Sequence, residues 1–468
     1  MSLDSLKGKK VHLLGIGGIG VSAIARFLKA QGVEVNGCDV RESTLTTALR
    51  SEGIRVDIGH RPSHVDENDV IVYSTAIPAE NPEFAYAKEH ARLLLHRSEV
   101  LSIIVDQFES VGVTGTNGKG TVSAMLTWIL ETAGRDPSFY IGGLSPNLKT
   151  NARVSSGPNL VAELDESDGS LLNIHPKFAV LNNLELDHLN YYKSLDHAVE
   201  TLLAFFQNLP EGSTCFFNAD DEGTLSVARQ LECHSKVFFG RNLEADVRYE
   251  PLETTNTFSR FRLFARTAEG ETEVGVFTLK VPGSYNMENA AAACAVALTL
   301  GVSSEAIATA LESFQGLNNR YTVVEAAGRT LVKDYMSHPM GIRKVLDTAR
   351  LGNPGTLYAV FKPYRYTMIN YHVENYADAF SKCDEVIVTE MWEAGEDPIP
   401  GVDTQWLAGR IAKAGVRVKY IKEMPPIADY LAKSQKRGDC VVFFGGNDLF
   451  EVADGLAKRF EVEADAEG

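Results

Sequence analysis

VGVTGTNGKGTVSAML, residues 111–126, is an apolar run that breaks into glycines and then resumes with helical spacing. An apolar run, Ile103 to Val105 and then Val111 to Val113, reaches the glycine-rich turn Gly115-Thr116-Asn117-Gly118-Lys119-Gly120-Thr121, and Val122 to Leu130 reads as helix. A turn of this kind aims successive backbone N–H groups and a helix N-terminus at an anion, and Lys119 adds a mobile positive charge. It is a phosphate-binding loop of shortened form. The general pattern asks for glycine at Val113, and for a serine or threonine directly after the lysine, where this chain has Gly120. Thr121 is the nearest hydroxyl to a phosphate-bound metal.

Working outward from that loop, a second glycine-rich turn lies near the start of the chain. Lys10 to Leu14 reads as a buried strand running into Gly15-Ile16-Gly17-Gly18-Ile19-Gly20 and a helix from Val21 to Ala30. Asp39 ends the next strand, where an acid can bind ribose hydroxyls. Any ligand with a diphosphate and a ribose fits that geometry. An NAD-dependent oxidoreductase is therefore one reading, although it leaves Lys119 and the acidic residues beyond it without a task. A further loop, Ser74-Thr75-Ala76, ends the run Asp69 to Tyr73 at the same sheet edge.

Downstream, strand-like Leu160 to Leu164 carries Glu163, followed by Asp165, Glu166 and Asp168, and the strand Phe178 to Leu181 leads into Asn182-Asn183-Leu184-Glu185-Leu186-Asp187-His188. Carboxylates and a histidine after strand ends, beside a phosphate loop, are a donor set for magnesium. Val247 to Leu279 alternates polar and apolar residues, which predicts an antiparallel insertion. Ala290 to Leu300 reads as a buried helix with Asn286 and Asn289 on one face at its entry. From Tyr321, alternating strand-like and helical runs predict another doubly wound sheet, with polar clusters at Lys333–Pro339 and Lys362–Thr367. The tail from Glu461 is expected to fray.

The 468 residues suffice for about three domains. We expect an α/β chain divided as 1–105, a Rossmann-like diphosphate-binding domain; 106–322, a central nucleotide-binding domain with the antiparallel insertion; and 323–468, a C-terminal Rossmann-like domain. A formal net charge of −17 argues against nucleic acid or an anionic membrane as partner, since both call for a basic face. The six cysteines lie far apart with no C-x-x-C pair, so spacing indicates neither a zinc site nor a disulfide framework. With no apolar signal core and no long apolar run, a cytoplasmic location is expected.

The sum of these motifs resembles the Mur ligases, the ATP-dependent amide ligases that build peptidoglycan stem peptides. It rests on VHLLGIGGIGVSAIA at 11–25, STAIPAENPE at 74–83, HRSEVL at 96–101 and VAELDESDGSLL at 161–172. It continues through NNLELDHLNYY at 182–192, GSYNMENAAAA at 283–293, FKPYRYT at 361–367 and AGEDPIPG at 394–401. The resemblance implies an enzyme that joins the carboxylate of UDP-N-acetylmuramate, or a similar UDP-sugar, to an amino acid, L-alanine first, through an acyl phosphate. ATP and Mg²⁺ are the implied cofactors. Gly15, Gly17, Gly18, Gly20, Asp39, Ser74, Thr75 and Ala76 would hold the UDP-sugar. Gly115 to Thr121, Asn286, Asn289, Arg320 and Asp334 would hold ATP, and Thr121, Glu163 and His188 the metal. Lys119, His338 and Arg365 would carry the reaction, the last two facing the amino acid and the reacting carboxylate.

Several positions depart from the family pattern. Asn117 and Gly120 alter the phosphate loop, Tyr285 stands for a histidine near adenine, Met336 and Ser337 change the stretch before His338, and Met368 replaces a second arginine. A relative that uses another amine or a muramyl peptide is the alternative within the same chemistry. A nucleotide-binding regulator without catalysis is the alternative outside it.

Overall fold

The computed structural model describes residues 2–90 and 92–467, with side chains to residue 465. Three sheets follow one another along the chain. The first is five-stranded and wholly parallel, ordered Arg55–Ile58, Glu34–Asp39, Lys10–Leu14, Val70–Tyr73, Leu93–His96. Its order reverses beside Lys10–Leu14, so the glycine turn after that strand lies at the sheet's crevice.

The second sheet is ten-stranded and mixed. Its parallel part places Glu109–Thr114 between Phe178–Leu181 and Asn159–Glu163. Every residue of Glu109–Thr114 after the first is buried, the expected signature of a central parallel strand. Gly112 belongs to this packing: a Cβ there would lie 2.5 Å from Leu164 Cδ1 and 2.8 Å from Pro176 Cγ. The alternating stretch forms three antiparallel-paired strands, Val247–Thr254, Ser259–Thr267 and Gly270–Leu279. They are not a separate sheet. Val247–Thr254 pairs in parallel with Ser235–Gly240 and extends the central sheet at its edge.

The third sheet has six strands, with Cys440–Phe444 between Arg329–Asp334 and Leu357–Phe361. Its edge strand Thr322–Ala326 is antiparallel, and half-exposed side chains hid it from a search for apolar runs. The tail does not fray: the helix Asn447–Glu467 runs through it. Phe460 is fully buried, and Arg459 pairs with Asp429 and Glu463, which ties the last turns to the domain.

One apolar core is continuous from the first sheet into the second, joining Leu101 and Ile104 with Leu171 and Ile174. The third domain has cores of its own. The first two domains also share polar bonds: Asn151 Nδ2 donates to Ile19 O at 2.7 Å and Arg97 meets Asp165 at 3.1 Å. None of the described helices is long and apolar enough to cross a membrane.

Candidate active site

The phosphate loop is shaped by two glycines with positive φ, Gly115 at 129° and Gly118 at 85°. A Cβ on Gly118 would lie 2.4 Å from Asn289 Oδ1 and 2.5 Å from Asn182 Nδ2, so the loop rests directly on asparagine side chains. Asn182 Nδ2 donates to Asn289 Oδ1 at 2.9 Å and to Asn117 O at 3.0 Å. Asn289 Nδ2 in turn donates to Asn286 Oδ1 at 3.2 Å. Asn183 Oδ1 accepts the Asn117 N–H at 2.7 Å. These buried amides hold the loop open from beneath. The helix then starts at Lys119, three residues earlier than the apolar spacing alone marks.

Lys119 is folded back on its own loop. Its Nζ donates to Gly115 O at 2.7 Å and lies 2.9 Å from both carboxylate oxygens of Glu166. Hydrogen-bond geometry holds only toward Oε1, which leaves Glu166 Oε2 a buried acceptor with no hydrogen bond. Burial disfavours the lysine's charge, but Glu166 and Asp165 outweigh it and raise its pKa. Glu163 is set at the end of its strand, where Oε2 accepts the Gly142 N–H at 2.6 Å. Burial raises its pKa against that bond and against Lys119 and Arg320. His188 Nε2 stands 3.6 Å from Glu166 Oε1, on a backbone with φ of 51°. Burial works against its protonation, yet Glu166 and Asp187 raise its pKa.

These groups fit a magnesium ion. Thr121, Glu163 and His188 line one cleft, and Glu166 Oε2 beside Lys119 and His188 is a further hard donor with unspent acceptor capacity, although the carboxylates and the histidine are not gathered into one tight cluster. Glu166 stands among the acids that follow Glu163 in the sequence but is not one of the three ligands expected there. Gly120 also finds its reason here: a Cβ would lie 3.0 Å from Glu163 Oε2 and 3.0 Å from Leu317 Cδ1.

A single cleft of ≈350 Å³ between the second and third domains is lined by Thr116 to Thr121, Glu163, His188, Asn286, Asn289, Arg320, Asp334, His338 and Arg365. That volume suits a small-molecule ligand. Asp334, 3% exposed, accepts the N–H groups of Tyr321 at 2.9 Å and Met336 at 2.8 Å, so its carboxylate fixes the joint between domains. Arg320 is exposed and stands over the Tyr335 ring. Arg365 has a φ of 61° and reaches Asn190 Oδ1 of the central domain at 3.4 Å. Its buried Nε has no hydrogen-bond partner.

His338 stands before the helix Pro339–Arg350, its Nδ1 3.3 Å from Glu185 Oε2, without hydrogen-bond geometry. Burial and the neighbouring His372 push its pKa down to about 4. Burial pushes Glu185 up to about 7. Glu185, His372 and Lys344 all line the cleft and were not singled out from sequence. Lys344 carried a signal, since it lies on the amphipathic helix Pro339–Arg350 that follows directly on His338.

The remaining candidates lie outside this cleft, in the first domain. Gly17 N–H donates to Asp39 Oδ2 at 2.9 Å, so the acid expected on a ribose braces the glycine turn. The Ser74–Ala76 loop lies alongside: Ile77 Cδ1 would be 3.3 Å from a Cβ on Gly15, and Thr75 Oγ1 donates to Asp168. Gly20 abuts the central domain, where a Cβ would be 2.7 Å from the Tyr140 hydroxyl. The glycine turn and the acidic residues after Glu163 are thus linked through Tyr140, Arg97 and Asp165.

Comparison with known proteins accords with this layout. Three family descriptions match in succession: Mur ligase family, catalytic domain, over residues 10–109; Mur ligase middle domain over 113–297; and Mur ligase, glutamate ligase domain, over 319–447. The UDP-N-acetylmuramate--L-alanine ligase of Dictyoglomus turgidum is 34% identical over 99% of both chains. The like-named enzyme of Carboxydothermus hydrogenoformans is 36% identical over 94% of this chain and 95% of its own. Among solved structures, the UDP-N-acetylmuramate-alanine ligase of Thermotoga maritima aligns with a TM-score of 0.81 at 25% identity, covering 97% of this chain and 100% of that one. With three consecutive family matches and full-length relatives at this identity, the chain belongs to the Mur ligase family.

Proposed function

We propose that this chain joins the carboxylate of UDP-N-acetylmuramate to the amine of L-alanine, with conversion of ATP to ADP and phosphate, in cytoplasmic synthesis of peptidoglycan precursors. The observation that carries the reading is the interdomain cleft, whose lining brings a phosphate loop, Glu163 and His188 together with Arg365 and His338 of the third domain.

A carboxylate is a poor electrophile, so one of its oxygens first attacks the γ-phosphorus of ATP and ADP leaves. The resulting acyl phosphate is attacked at carbon by the amine, the amine's proton is lost, and phosphate departs with the C–O electron pair. Both steps bring negative charge together. Lys119 would leave Glu166 and the loop carbonyls for the terminal phosphates, and the loop N–H groups would cradle them. Arg365 would pair with the reacting carboxylate. His338, neutral above its lowered pKa, can accept a hydrogen bond from the incoming amine. Glu163, with Thr121, Glu166 and His188 around it, would hold Mg²⁺, which supplies charge neutralisation to the phosphates. Apposition of the third domain excludes water from the acyl phosphate.

The test is phosphate release from ATP with Mg²⁺ and UDP-N-acetylmuramate, adding amino acids singly and weighing the product. Release with L-alanine and a product heavier by one alanyl residue is expected. Release only with another amine would move the chain to a different branch of the family. Release with no pair would overturn the ligase reading.

A further inference from the structure

Away from the cleft, the first domain buries five chemically unusual neighbours. His12 lies on Lys10–Leu14, Cys38 on Glu34–Asp39, His60 and His64 after Arg55–Ile58, and Glu83 on the helix Pro82–Glu89. Glu83 is fully buried, and every group touching its carboxylate is a potential metal donor or a backbone N–H. Cys38 Sγ is 2.8 Å from Oε2, His12 Nε2 3.3 Å from Oε2 and His64 Nδ1 2.5 Å from Oε1, while the Arg61 N–H donates to Oε1 at 2.7 Å. One donor atom from each of His12, Cys38, His64 and Glu83 lies within 4.8 Å of all the others. His60 stands at the rim, with Nδ1 3.2 Å from the sulfur.

We propose that His12, Cys38, His64 and Glu83 form a tetrahedral zinc-type site that pins the 60–64 loop and the helix Pro82–Glu89 to the first sheet. Two features separate this cluster from an ordinary buried hydrogen-bond network. The first is the orientation of His12. Its Nδ1 is 2.5 Å from Asn36 Oδ1, and Asn36 Nδ2 donates to Asn68 Oδ1 at 2.7 Å, so Asn36 presents an acceptor and the imidazole proton sits on Nδ1. Nε2 is then the ring nitrogen turned to the Glu83 carboxylate and the Cys38 sulfur, the atom placed to ligate a cation. Outer-shell amides that fix a ring in this way are characteristic of metal-ligating histidines. Asn68 Nδ2 donates to His64 O at 2.6 Å, which ties the second histidine's segment to the same amides.

The second feature is charge. A thiolate and a carboxylate balance a divalent cation, and the two imidazoles bind neutral, so the occupied site buries no net charge. Ligands at about 2.0–2.3 Å from zinc stand about 3.3–3.8 Å apart, so the contacts around Glu83 need to open by roughly an ångström at most. Spacing along the chain gave no hint because the donors come from four separate segments. The site lies directly beneath the first glycine turn, since Cys38 O accepts the Ile16 N–H at 3.0 Å.

The test uses the full-length protein without a histidine tag. Zinc content is measured after gel filtration, and the chelator-stripped protein is titrated with Co²⁺ at equimolar metal. Expected are about one zinc per chain and, with cobalt, a thiolate-to-metal charge-transfer band together with the strong visible absorption of four-coordinate cobalt. Cys38→Ser should abolish the charge-transfer band, and His64→Asn should weaken retention at least tenfold. The unsubstituted protein decides the question even if these variants fail to fold. Absence of the band in the parent, or its persistence in Cys38→Ser, would overturn the site. Metal bound without a thiolate band would place it elsewhere and overturn it equally.

Discussion

Facing each other across the domain boundary, Glu185 and His338 make opposite demands on pH. The Glu185 carboxyl is raised from 4.5 to about 7, so between those values the folded protein keeps a proton that the unfolded chain has lost. Its contribution to stability is therefore full below pH 4.5 and is lost as pH rises through 7. With 18% of the side chain exposed, the ceiling of about 3 kcal/mol for such a shift is discounted to about 1–2 kcal/mol. Glu185→Gln should accordingly be more stable than the parent by that amount at pH 8 and equal to it at pH 4.5, read by denaturant unfolding of the ligand-free protein. His338 behaves the other way. Its pKa falls from 6.5 to about 4, so stability drops as pH falls through that window, where the unfolded chain binds the extra proton. His338→Asn should lose less stability than the parent between pH 6.5 and 4. If both variants track the parent at every pH, the two groups are not in the neutral forms inferred for them. Lys119→Ala should lower kcat by about 10²–10³-fold, and because it strands the buried Glu166 carboxylate it should also lower the melting temperature, so kcat is read well below that temperature.

For the phosphate loop and its helix, position rather than charge is decisive. Gly118→Ala places a methyl within 2.4 Å of Asn289 Oδ1 on a backbone with φ of 85°. Strain of about 1–3 kcal/mol should appear as a fall of roughly 5- to 100-fold in kcat/KM for ATP, with a much smaller effect on the UDP-sugar KM. Equal losses for both substrates would mean the loop serves only the general fold. This element was legible in the sequence because its chemistry is local: glycines, lysine and an apolar strand lie within about a dozen consecutive residues. The central parallel strands were legible for the same reason, as unbroken apolar runs. What escaped was held by contacts distant in sequence. The strand Thr322–Ala326 has no apolar run, because only Ala326 of its side chains is buried. The helical end at Asn447–Glu467 depends on the burial of Phe460 and on pairs with a preceding helix. Glu166 reads as one more acid in an acidic turn until Lys119, 47 residues away, is found against it.

Across the whole molecule, the distribution of cores decides where motion can occur. The first two domains share one apolar core, whereas the third has separate cores and meets the second across the ligand cleft, with Tyr285 of the central domain packed against it. Contacts across that cleft are long: Arg365 to Asn190 at 3.4 Å, Lys344 to Glu288 at 4.0 Å and His338 to Glu185 at 3.3 Å. Little free energy resists sliding or closing there, since such pairs are worth about 1 kcal/mol or less each. At the joint, Asn319 and Tyr321 hold φ of 59° and 48°, and Asp334 accepts the Tyr321 N–H, so the chain turns at a defined point. Bound triphosphate would attract Arg320 and Arg365 from opposite ends of that joint and draw the third domain onto the second. Adding Mg²⁺ and a non-hydrolysable ATP analogue should thus reduce the radius of gyration measured by small-angle scattering. Arg365→Ala should still bind the analogue but contract less. An unchanged radius in the parent protein, at a concentration where binding is shown calorimetrically, would mean that the domains already stand in their working arrangement and that closure does not gate the reaction.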